Sequence, residues 1–204
     1  MSKKILTLLV VFLALGLVVA LFEKPFGPKN ETIGEPFIQI SKENIVAIEI
    51  EHFIQGFKFS KNAENKWVVE EKKTALQEKM EQTKPDTAKK EGAKDKKKTG
   101  ETSTPVVANQ EMVERMIDVL LALPKGVPVT NNPEKYTLFE IHDYGLNLGF
   151  FDKEGKKLAR VYIGKEGPDL FSSYVRLEGE KEVYLVAEQL KGMLNHTLDE
   201  WKER

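Results

Sequence analysis

Residues 5–22, ILTLLVVFLALGLVVALF, are apolar except for Thr7 and Gly16. As a helix rising about 1.5 Å per residue, the run is about 27 Å long, close to the hydrocarbon thickness of a bilayer. Burying it inside a globular core would take more surrounding helices than the chain supplies. A cleaved signal peptide is the alternative, with Val18 and Ala20 as the small residues before a cut. Such apolar regions usually run only about 7–15 residues, so an uncleaved N-terminal transmembrane helix over 1–22 is expected. Lys3 and Lys4 precede it, and a mixed flank of Glu23, Lys24, Lys29 and Glu31 follows. That bias favours an inside N-terminus, a single pass through the cytoplasmic (inner) membrane, and an extracytoplasmic remainder.

Beyond the run, Pro25, Gly27, Pro28, Gly34 and Pro36 make 23–36 a spacer without regular structure. The folded domain is expected over 37–204. With 31 Lys and Arg against 32 Asp and Glu, the formal charge is −1. That balance gives no electrostatic case for nucleic acid. The absence of cysteine excludes disulfides, thiolate metal sites, thiol nucleophiles and a lipid-modified cysteine.

Period-two alternation through Ile48 and Ile50, then Phe57 and Phe59, then the string KWVVE, predicts strands at 45–51, 56–60 and 66–70. Residues 71–104 change character, with 10 lysines, 7 acidic residues and no aromatic. Such a stretch cannot bury enough apolar area to offset the cost of ordering its backbone. A solvated, disordered Lys-rich insertion is expected, with a brief helix at 74–82. Its lysines suit either anionic headgroups or plain solubilisation. Without it, 21 basic and 25 acidic residues remain, so the rest of the chain is acidic, at −4.

The string NQEMVERMIDVLLALPKG predicts a helix capped by Asn109, with Val113, Met116, Ile117, Leu120 and Leu123 on one face. Pro124 and Gly126 end it. Five strands are then expected in YTLFEIH, LNLGFF, KLARVYIG, SSYVRLE and EVYLVA, with DKEG as a turn closed by a left-handed Gly155. The stretch 163–169 reads as a glycine-punctuated loop. A short helix in EQLKGMLN would turn Leu190, Met193 and Leu194 to the sheet. Pairing 177 with 183 and 175 with 185 would put Val175, Leu177, Val183 and Leu185 on one face. Tyr174, Arg176 and Tyr184 would then share the other, with Arg176 over the Tyr184 ring.

No reactive constellation emerges. His52, His142 and His196 lie on different elements without metal-ligand spacing, and each reads as a surface histidine. Ser172 and Ser173 lack a strained nucleophile turn, and no phosphate-cradling glycine loop occurs. No catalytic residue, cofactor or metal is expected, and the protein is not expected to be an enzyme.

Several strings resemble the bacterial family called domain of unknown function 4340. They are LFEKP after the apolar run, IVAIEIE, KWVV, PVVANQ leading to LLAL, NPEKYTLFEI, the stretch 152–186, and the closing WKER. The similarity covers about 1–70 and 105–204. Relatives often continue into a second set of strands, so this chain reads as a one-unit member. The resemblance implies accessory components of ABC-type export or gliding-associated systems and supplies no catalytic residues. Trp67, Gly164, Tyr174, Arg176, Tyr184 and Trp201 match the pattern and read as fold determinants.

The combined expectation is an α+β domain, a mainly antiparallel sheet with two packed helices, preceded by one transmembrane helix. Its role would be an extracytoplasmic interaction module, an accessory component of a transport or envelope complex, with Tyr174, Arg176 and Tyr184 as the interaction surface. The alternative is a small-ligand or enzymatic cleft between sheet and helix, using Arg176 and Tyr184. A pure structural tether is the third reading.

Overall fold

The computed structural model describes residues 34–83 and 104–203. The expected membrane helix, all but the end of the spacer and most of the Lys-rich stretch lie outside them. Among the described residues, no helix is long and apolar enough to cross a membrane.

The described chain folds as α+β. Nine strands form one sheet: β1 (Ala47–His52), β2 (Gln55–Lys61), β3 (Trp67–Glu71), β4 (Val106–Val107), β5 (Val127–Thr130), β6 (Asn147–Phe151), β7 (Lys157–Glu166), β8 (Ser173–Leu177) and β9 (Val183–Val186). Their order is β4-β3-β2-β1-β6-β7-β8-β9-β5, with every neighbouring pair antiparallel. The helices are α1 (Ala75–Gln82), α2 (Gln110–Ala122), α3 (Leu190–Leu194) and α4 (Leu198–Trp201).

One sheet face carries the core. Ile48 and Ile50 of β1 stand opposite Phe59 and Phe57 of β2, and opposite Phe150 and Leu148 of β6. All six are buried, and they join Val113, Met116, Ile117 and Leu120 from α2 in one cluster. Asn109 caps α2 by accepting from the Met112 amide. α3 adds Leu190 and Leu194, and α4 adds Trp201, whose ring meets Phe59 edge-on at 4.9 Å. Trp67 is buried at the β3 end, its indole donating to Glu114 at 2.7 Å. Burial disfavours the Glu114 carboxylate, but bonds from Lys42 and Trp67 outweigh it and hold the pKa below the ordinary value.

Several expectations are corrected. The string YTLFEIH is not a strand: Pro133–Phe139 is a 3-10 helix whose cap, Asn132, accepts from the Glu134 amide, with Pro133 preset for the first turn. A strand forms instead at β5, on the sheet edge, where Pro128 and a register shift are tolerated. β7 runs through Glu166, so the loop placed at 163–169 begins only at Gly167. The brief helix expected at 74–82 forms as α1, with a full capping box on Thr74, which is itself buried, so residues 71–83, grouped by composition with the insertion, are ordered. The chain also engages before Phe37, because Lys125 donates to the Glu35 carbonyl at 2.7 Å and Pro36 bridges Pro124. The Asp152 turn forms as expected, with Gly155 at φ +75.

The β8–β9 register is one residue away from the expected one: Val175 faces Tyr184 and Tyr174 faces Leu185. The expectation assumed one apolar and one polar face. Here both faces are covered, with Val175, Tyr184 and Val186 in the main core. Val183 lies on the reverse side with Ile141 and Tyr162, against Tyr136, Phe139 and Tyr174.

Candidate functional site

The reverse face of the sheet, away from α2, is laid out in rows that the strand register defines. One row crosses five strands as Glu70, Lys58, Glu49, Gly149 and Arg160, each opposite the next. The signs alternate along it. Gly149 has no side chain to interrupt the row, and the Arg160 guanidinium reaches over it to 3.7 Å from Glu49. Cross-strand opposite charges stabilise a sheet by about 0.2–1 kcal/mol per pair. Lys58, Glu70 and the neighbouring Ser60 and Val68 remain partly exposed, so solvent reaches this part of the face.

The row above is Glu51, Asn147, Tyr162 and Arg176. Lys72 donates to Glu51 at 2.8 Å and pairs with Glu49 at 2.9 Å. Burial pulls the Lys72 pKa down, but its bonds to Glu51 and Glu49 outweigh that and raise it above the ordinary 10.5. The Arg176 guanidinium lies 4.4 Å from the Tyr162 ring centre and 4.9 Å from that of Tyr136. It also donates to the carbonyls of Glu180, at 3.0 Å, and Leu177. Burial, then Glu178 and Asp143, push the Tyr162 hydroxyl above its ordinary pKa.

The three residues named from sequence therefore separate. Tyr174 and Arg176 lie on the reverse face, Tyr174 against the Phe139 ring at 4.7 Å. Tyr184 lies on the core face, 5.8 Å from the Phe37 ring, with Lys125 over its own ring at 5.1 Å. Arg176 does not rest on Tyr184, because the register puts the two on opposite sides. Its partners, Tyr136 and Tyr162, were not foreseen, since Tyr136 sits in the segment read as a strand. Ser172 and Ser173 are tied into the loop: Ser172 donates to Asp169, and Ser173 donates to the Glu188 carbonyl while accepting from the Leu190 amide.

The sheet order brings together two histidines that the sequence separates by ninety positions. His52 at the end of β1 and His142 before β6 line one pocket of about 270 Å³, with Phe53, Glu140, Leu146, Ile163 and Lys191. Lys191 of α3 pairs with Glu140 at 3.0 Å, which holds the Glu140 carboxyl below its usual pKa. Burial, and after it the Lys191 charge, lower the His52 pKa, against a bond with Asn195 that raises it. No group of three or more potential metal ligands occurs among the described residues.

Comparison with known proteins gives one match. A family model described as a domain of unknown function (DUF4340) covers residues 98–204, more than half of the chain, and takes in β4 to β9 with α2, α3 and α4. The matched span is narrower than the sequence strings suggested, since β1 to β3 lie before it. No curated protein and no solved structure matches. The chain belongs to the DUF4340 family.

Proposed function

We propose that this is an interaction module, tethered on the outer side of the cytoplasmic membrane by its N-terminal apolar run, that binds a protein component of an ABC-type transport or cell-envelope complex. The observation that carries the reading is the part of the reverse face over β3, β2 and β1, where Glu70, Lys58 and Glu49 lie opposite one another and stay partly exposed. Glu49 is held by Lys72 and Arg160 before any partner arrives, so its carboxylate needs little ordering on binding. Alternating charges also give a partner a pattern to match, which favours specificity over raw affinity. The sheet edges are poorer docking sites. β5 carries Pro128 and a register shift, and next to β4 the chain's last residues lie alongside, with Ala108 bridging Lys202 and Glu203 donating to the Val107 carbonyl.

The test uses the full chain in its own membranes, with a photo-crosslinking amino acid at Lys58 or Ser60 and a control at Lys153 in the β6–β7 turn. Adducts of one defined mass are expected from positions 58 and 60 and not from 153. Absence of adducts from both face positions, with the chain present in the membrane, would sink the proposal.

One observation favours a second reading, a small-ligand site. His52, His142, Glu140 and Lys191 converge on a concave pocket just below the roughly 300–1,000 Å³ of drug-sized ligand sites. Under that reading the imidazole resonances of His52 and His142 shift when small anionic metabolites are titrated in. Resonances that stay fixed across such a panel remove it.

A further inference from the structure

We propose that the end of the sheet carrying the β1–β2 turn and the β7–β8 loop rests on the bilayer surface, with its apolar tips inserted among the lipid headgroups. The inference rests on the anchored reading above. Five large apolar side chains are exposed at this end: Phe53 (47%), Ile54 (61%), Leu138 (62%), Leu170 (64%) and Phe171 (76%). The topology gathers them. β1 and β7 are both antiparallel to β6 and so run the same way, and the turn after β1 and the loop after β7 leave the same end. Leu138 joins them because the neighbouring Phe139 carbonyl lies against Gly164 of β7.

These side chains contribute little packing to the body, and two of them sit where the backbone disfavours them. Phe53 has φ +48 and Leu170 φ +63, the left-handed region that glycine occupies without a steric penalty. The loop presents them in a fixed way. Asp169 Oδ1 accepts from the Phe171 amide at 3.1 Å, the Ser172 amide at 2.9 Å and the Ser172 hydroxyl at 2.5 Å. Around the tips, Lys79 lies by the Tyr144 ring and Lys165 by the Phe139 and Tyr174 rings. These lysines and tyrosines, with the exposed carboxylates of Asp143 and Asp169 among them, give the apolar tips the mixed polar surround found at a membrane interface.

The point of entry of the chain selects lipid over another occupant. The first described residues bond to Leu123 and Lys125, and Gly126 packs on Leu185 and Val186 at the end of β9. Val186 pairs with Ser173, the first residue after the β7–β8 loop, so the chain enters near the apolar end. Residues 23–33 separate that entry from the apolar run and reach at most about 36–40 Å when extended. The bilayer is therefore the apolar phase held closest to these tips.

The chain has no cysteine, so a single Phe171→Cys or Ile54→Cys takes a nitroxide label at one exposed site. Full-length protein in lipid nanodiscs is then probed with oxygen and with a water-soluble nickel chelate, and Lys153→Cys serves as the control at the opposite end. Labels at 171 and 54 are expected to be several-fold more accessible to oxygen relative to nickel than the label at 153. Three equally aqueous labels overturn the proposal. Shielding of 171 and 54 from both reagents overturns it too, because that marks a protein neighbour or a second copy. Failure of the chain to enter nanodiscs at all sinks the anchor itself, an outcome distinct from aqueous labels on an inserted chain.

Discussion

Gly164 shows how much one position can hold in place. A Cβ there would lie 2.0 Å from the Phe139 carbonyl oxygen and 2.9 Å from Ile141 Cδ1, so the constraint is space on the reverse face. Gly164→Ala must push the 3-10 segment off the sheet, and with it the Tyr136 ring beneath Arg176. A loss of about 1–3 kcal/mol is expected, read as a lower urea midpoint at unchanged slope. A midpoint within error of the parent would show that the segment yields freely. His52 gives a different residue-scale prediction. Its pKa is lowered on folding, so the unfolded chain binds the proton more readily. The associated stability is present above the unfolded value of about 6.5 and is lost as pH falls through the folded value. Unfolding free energy should therefore drop between pH 7.5 and 5.5, and His52→Gln should flatten that drop. Parallel pH profiles for parent and variant would refute it. Neither position was fully legible in the sequence. The string around Gly164 marked it as a fold determinant, but the carbonyl it accommodates belongs to a segment read as a strand. His52 and His142 stood apart as surface residues because only the β1–β6 pairing makes them neighbours.

At the scale of elements, alternation and capping signals were the readable part. β1 to β3, β6 to β9 and α2 all lie close to where period and caps placed them, because each has one face in a single core. The misses share a cause: local pattern is ambiguous where a segment meets two environments. VPVT carries a proline, which interior strands disfavour, yet on the sheet edge it forms β5. The β8–β9 register slipped by one because residues of both parities are buried there. α1 is the opposite case, an element formed without core packing. It buries none of its own residues and is held by the Thr74 capping box, by Thr74 donating to the Phe53 carbonyl, and by Lys79 donating to the Tyr144 hydroxyl. Eight residues are too few for a stable isolated helix, so these ties decide its population. Thr74→Ala removes a cap worth about 1 kcal/mol together with the Phe53 bond. Amide exchange across residues 75–82 should accelerate several-fold while β1 and β2 stay protected. Equal loss of protection in the sheet would show that α1 is part of the same cooperative unit.

For the whole molecule, the boundary of the family match and the boundary of the fold do not coincide. The match begins at residue 98, but β1, from the preceding part, pairs with β6 through five register positions and inserts Ile48 and Ile50 into the core. β2 and β3 add Phe57, Phe59, Trp67 and Val69 to the same cluster, and Trp201 from the far end of the chain packs on Phe59. A chain restricted to residues 98–204 would lose all of these partners at once. It would open the β6 edge along its whole length and expose Leu148, Phe150 and Trp201 to water. Burying one such side chain is worth about 1.5–3 kcal/mol, and a whole domain is stable by only about 5–15 kcal/mol. The loss of six or more core partners therefore exceeds what the remainder can sustain. The 98–204 fragment is expected to lack near-ultraviolet dichroism and to give a collapsed amide spectrum, and adding a separately made 34–83 fragment should restore dispersion if the two halves find each other. A well-dispersed spectrum from 98–204 alone would show that the second half carries a self-sufficient core, and that β1 to β3 are an addition to it rather than half of the structure.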